Sequence, residues 1–148
     1  MTVASAHRDL VKAIAVGDTA RARELNELIP NAERQDYHTF VTAFFSLMLE
    51  QRFGDNASRD AIAEFVNEMR YDYRNAQPPI KPLMLEGLIR ASCGDEHFLD
   101  EISSEDTLQG EYQVIRKIVL QSPTITDRID DFLTEAEALV REWEAEDA

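Results

Sequence analysis

Apolar residues return every three or four positions along nearly all of this 148-residue chain, and no stretch sustains the alternation of a half-buried strand. Side chains at that spacing fall on one side of a helix, so each apolar series marks a face to be buried and the residues between mark a face to be wetted. Five glycines and five prolines leave few interruptions. The expected fold is all-α, with residues 1–148 forming a single helical domain that buries roughly 70% of the surface its unfolded chain exposes.

The interruptions organise the helices. In AIAVGDTARARELNELIP, residues 13–30, one apolar run stops at Gly17-Asp18 and another begins. The same dipeptide recurs at 54–55 and 94–95, so the breaks stand 37 and 40 residues apart. Glycine takes the positive φ that ends a helix without a Cβ penalty, and aspartate can cap the helix that follows. A fourth corner reads QSPTIT, residues 121–126. These corners predict about eight helices as four helical hairpins, forming either a short stack of repeats or a compact irregular bundle.

The helix centred on residues 40–49 has the widest apolar face. Phe40, Val41, Phe44, Phe45, Met48 and Leu49 demand neighbours on more than one side, which makes it the expected core helix. Ser58 is placed to cap the next helix, whose Ala61, Ile62, Phe65, Val66 and Met69 face inward, and the three prolines of NAQPPIKP end it. Further on, Met84, Leu85, Leu88, Ile89 and Ala91 make one face, and Tyr112, Ile115, Ile118 and Val119 another, with EHFLDEIS between them a short helix at best. Thr124 with Asp127 has the form of a capping box for one last helix carrying Ile125, Ile129, Phe132, Leu133, Ala136, Leu139, Val140 and Trp143. Its carboxylates, including Asp130, Asp131, Glu135, Glu137, Glu142 and Glu144, are expected mostly in solvent.

The first unit resembles part of a tetratricopeptide repeat. Gly17-Asp18 stands at the turn, Ala22 follows five residues after the glycine, and Pro30 closes the second helix. The resemblance implies a right-handed stack of hairpins. It covers residues 13–30 alone: Pro30 comes about one turn early, and Arg59 and Leu99 stand where the first unit has Ala22.

Charge is distributed unevenly. The chain carries −14 overall, but residues 1–94 hold 13 acidic and 11 basic side chains whereas residues 95–148 hold 16 and 4. An acidic field of this kind repels nucleic acid and anionic membrane and attracts a basic protein surface, while also serving solubility. The single cysteine, Cys93, offers no disulfide framework and fits a reducing compartment. No window approaches the roughly 20 apolar residues of a membrane span and the N-terminus lacks a signal peptide's apolar core, so a cytoplasmic protein is expected.

Chemistry-bearing motifs are scarce. His7, His38 and His97 form no sequence-local metal pair, and the one local cluster, Glu96, His97, Asp100 and Glu101, is what any charged short helix would show. Cys93 follows Leu88, Ile89 and Ala91 and reads as a small buried residue. The glycines at 17, 54, 87, 94 and 110 are isolated, so no phosphate-binding loop exists. No catalytic residue, metal or cofactor is expected.

Two features point to binding. Arg70, Tyr71, Tyr73 and Arg74 gather residue types that carry disproportionate interface energy, within an acidic protein. Asp130, Asp131, Glu135 and Glu142 lie on the acidic last helix, which would steer a basic partner. The expected function is a non-enzymatic interaction module for a protein or peptide, with these eight residues at the contact and neither nucleic acid nor membrane as partner. The alternative is an acidic neutraliser, of the immunity-protein or antitoxin kind, masking a basic surface. A third reading, an enzyme with a dispersed site, would require a polar pocket assembled from several helices.

Overall fold

A computed structural model describes residues 3–54, 57–76, 79–93 and 103–147. Among these residues all regular structure is helical: α1 (Val3–Ala15), α2 (Thr19–Glu27), a 3₁₀ turn (Asn31–Glu33), α3 (Arg34–Phe53), α4 (Arg59–Asp72), α5 (Pro82–Ser92), α6 (Ser104–Gln121), α7 (Pro123–Asp127) and α8 (Ile129–Asp147). None of these helices is long and apolar enough to cross a membrane.

Local chemistry accounts for the helix ends. Gly17 has φ 80° and closes α1, and Asp18 accepts the Arg21 N–H at 3.2 Å to start α2. Gly54 also has positive φ, 54°, after α3. Ser58 Oγ accepts the Ala61 N–H at 3.1 Å, the expected cap of α4. The third Gly-Asp corner, at 94–95, and most of EHFLDEIS lie outside the described residues.

The last helix differs from its expectation. Ser122, not Thr124, is the cap, accepting the Ile125 N–H at 3.3 Å with Pro123 at the first helical position. A short α7 then ends at Asp127 with Arg128 as its C-cap, and α8 starts afresh at Ile129. The apolar series runs through the break unaltered, because Ile125 and Ile129 remain buried on either side of it. Cys93 is a second correction: α5 ends at Ser92, which leaves Cys93 beyond the buried face as an exposed C-cap residue.

α3 is the centre. Val41, Ala43, Phe44, Phe45 and Met48 are wholly buried, and one apolar cluster draws residues from every α-helix. The closest helix pairings are α3 with α8, α3 with α6, α1 with α2, α4 with α5, and α1 with α6. Ion pairs then join α1 to α8, so α1, α6, α3 and α8 close into a ring. A stack would rest each helix pair on its sequence neighbours. Here the first, third, sixth and eighth helices meet, which is the arrangement of a compact bundle. Tight contact between α6 and α5 explains Gly110, where a Cβ would stand 2.9 Å from Leu88 Cδ2.

Candidate functional site

Helical geometry divides the four acidic residues expected at a contact. Asp131, Glu135 and Glu142 follow one another at four and seven residues and share one exposed face of α8. Asp131 sits 3.5 Å from Arg128 Nε, while Glu135 and Glu142 form no ion pair among the described residues. Asp130 lies one-quarter turn away, facing α1: Lys12 Nζ bonds its carboxylate at 3.2 and 3.3 Å. Arg8 continues the seam by donating to the Asp130 carbonyl at 3.3 Å, to Thr134 Oγ1 at 3.1 Å and to the Glu137 carboxylate. Asp130 and Glu137 therefore fasten α1 to α8.

The Arg-Tyr segment divides as well. Tyr71 is 67% exposed, and Arg74 stacks its guanidinium 4.4 Å above the ring while donating to the Tyr71 carbonyl at 2.8 Å. Arg70 is exposed beside them. Tyr73 turns inward to pack on the core, and its burial raises the phenol pKa. An aromatic contact here rests on Tyr71 alone.

Sequence reasoning missed a third place. Where α1, α3 and α8 converge, an open cleft of ≈ 240 Å³ is lined by His7, Asp36, Phe40, Glu137, Arg141 and Glu144, with Val140 beside them. On α8 the spacing of Glu137, Val140, Arg141 and Glu144 puts them on the side that also carries Asp130; on α3, Asp36 and Phe40 stand one turn apart. His7 is 7% exposed and meets the Tyr37 ring edge-on, centroids 5.3 Å apart. Its Nε2 is buried with no hydrogen-bond partner among the described residues, as is Glu33 Oε2. Burial lowers the His7 pKa, with the Glu33 and Asp36 carboxylates pulling it the other way. The sequence did hold a signal for it: His7 precedes Leu10, Val11 and Ile14 by three, four and seven residues, in line with the buried face of α1.

Other buried polar groups are already satisfied and hold helices together. Glu111, 1% exposed, accepts from His38 Nε2 at 3.2 Å, a bond that raises the histidine pKa. Lys117 is as deeply buried, and its ammonium lies 2.8 Å from Asp72 and 3.5 Å from Glu68, above the Phe65 ring. The Tyr37 and Tyr112 hydroxyls bond each other, and burial pushes the Tyr112 phenol up to about 12.

A second open groove, ≈ 350 Å³, runs between α2 and α6. Among the described residues no group of three or more histidine, cysteine or carboxylate side chains is placed to hold a metal ion, and Glu96, His97, Asp100 and Glu101 lie outside them. Comparison of the chain with protein-family models, curated proteins and solved structures finds no match of any of the three kinds.

Proposed function

We propose that this is a non-enzymatic interaction module that docks a basic segment of a protein partner, with the cleft between α1, α3 and α8 receiving one of its lysine or arginine side chains. One observation carries the reading: Asp36, Glu137 and Glu144 converge on an open cleft beside a buried His7 whose Nε2 has no partner among the described residues. Phe40 and Val140 supply an apolar wall for the aliphatic stem of such a side chain, and the carboxylates meet its charged head. Glu137 is already engaged by Arg8 and Arg141 also lines the cleft, so an incoming cation depends on Asp36 and Glu144 and must share the cleft with that guanidinium. The exposed face formed by Asp131, Glu135 and Glu142 steers the approach, since like a rim charge it acts on association rate more than on the seated complex. The single cysteine, which offers no disulfide framework within the chain, supports a reducing compartment, and we propose the cytoplasm.

The neutraliser reading draws on the same exposed carboxylates of α8, which there make the contact itself. Association kinetics with a lysine- and arginine-rich peptide separate the two. Asp36→Asn with Glu144→Gln changes the charge by two; Asp131→Lys, Glu135→Lys and Glu142→Lys together change it by six. Docking through the cleft predicts that the first variant dissociates about tenfold faster, while the second mainly associates more slowly and loses its salt dependence. A neutraliser reverses that order. Losses that simply follow the number of charges altered would mean attraction without a site, and the proposal would fail.

A further inference from the structure

The groove between α2 and α6 has a chemistry opposite to that of the protein as a whole. Arg23 and Arg116 line it, and no aspartate or glutamate does. Neither arginine pairs with a carboxylate among the described residues, in a chain with 29 acidic side chains against 15 basic ones. Arg116 Nε donates to the Ile14 carbonyl at 3.1 Å, which fixes the guanidinium at the end of α1 and leaves its terminal N–H groups for another acceptor. Leu10, Ala22 and Leu108 form the apolar part of the lining, and Gln113 stands near Arg116 on α6.

We infer that this groove binds a small organic monocarboxylate, its head held by Arg116 and Arg23 and its short apolar body lying along Leu10, Ala22 and Leu108. Two physical points support that class. First, a guanidinium presents a planar fork matched to a carboxylate, and one already anchored through Nε pays less entropy to engage it. Second, no aspartate or glutamate lines the groove, so the charged groups against a bound head group are the two guanidiniums. The mixed lining also disfavours the competitors: a neutral amphiphile leaves the arginines unpaired, and a cation meets them directly. No residue of this groove belongs to the cleft of α1, α3 and α8, so the two binding proposals stand or fall separately.

Octanoate is a suitable probe, with octan-1-ol and octylamine as matched controls, read by NMR on methyl-labelled protein and by calorimetry. Octanoate is expected to saturate, shifting the Ala22 and Leu108 methyls and the Arg116 Nε–H, with the alcohol and the amine each at least tenfold weaker. Arg23→Gln, at an exposed position with no hydrogen bond or ion pair among the described residues, should weaken octanoate about tenfold without altering the melting temperature. Arg116→Gln should weaken it at least as much, provided circular dichroism shows the fold retained. Equal binding of octan-1-ol, shifts centred elsewhere, an Arg23→Gln affinity equal to wild type, or no shift with millimolar octanoate would each overturn the assignment.

Discussion

Burial lowers the pKa of His7, whereas the Glu111 carboxylate raises that of His38, from the same ordinary value of 6.5. The signs give opposite pH dependences. A lowered folded pKa means that the His7 contribution is complete above 6.5 and is lost as pH falls through the folded value. A raised one means that the His38 contribution is complete below 6.5 and is lost as pH rises through the folded value. Melting temperature measured from mildly acid to mildly alkaline buffer should therefore fall on both sides, with His7→Leu flattening the acid limb and His38→Gln the alkaline limb. If the two variants flatten the same limb, one of these environments is misassigned. Lys117 invites a second test at this scale. Removing Glu68 and Asp72 together strands a buried ammonium and should cost about 3 kcal/mol or more in denaturant unfolding. Lys117→Met should cost far less, since both carboxylates are partly exposed and can rehydrate. Equal losses would contradict the asymmetry.

Among the elements, the start of α7 best separates sequence pattern from structure. Thr124 and Asp127 have the spacing of a capping box, but Pro123 fixes its own φ and has no N–H to satisfy, which suits it to the first helical position and hands the cap to Ser122. Ser122→Ala should destabilise by about 1 kcal/mol and Thr124→Ala by little, as measured by chemical denaturation. The reverse ranking would restore the capping box. Elsewhere the punctuation was legible because it is local: Gly17 with its positive φ, Asp18 as a cap and Ser58 as a cap all depend on residues within one turn. Cys93 was not legible. Whether a residue belongs to the last buried turn or lies just past it depends on one or two positions, and the apolar series of α5 does not reveal where the helix stops.

For the whole molecule, the buried face of α3 could be read from six apolar positions, yet nothing in them names α8 and α6 as the helices that cover it. Helix pairing is a property of distant segments, and a periodic face is compatible with many partners. The candidate cleft shares that origin. His7 and Asp36 lie in the first quarter of the chain and Glu144 near its end, and each alone looks like a solvated or core residue. Only closure of α1, α3 and α8 brings them together. The even acidity of the last third likewise conceals a division of labour, since Asp130 and Glu137 fasten α1 while Asp131, Glu135 and Glu142 remain at the surface.

That the cleft receives a basic side chain is the central claim, and it is tested most directly with the side chain alone. Nitrogen-15-labelled protein is titrated with an arginine residue blocked at both termini, using equally blocked norleucine as the uncharged control, and amide shifts are mapped along the chain. The account predicts saturable shifts centred on His7, Asp36, Phe40, Val140 and Glu144. They should weaken with added salt and with Asp36→Asn and Glu144→Gln, and norleucine should produce none of comparable size. Shifts spread evenly over the exposed carboxylates of α8, or of equal size with norleucine, would contradict it.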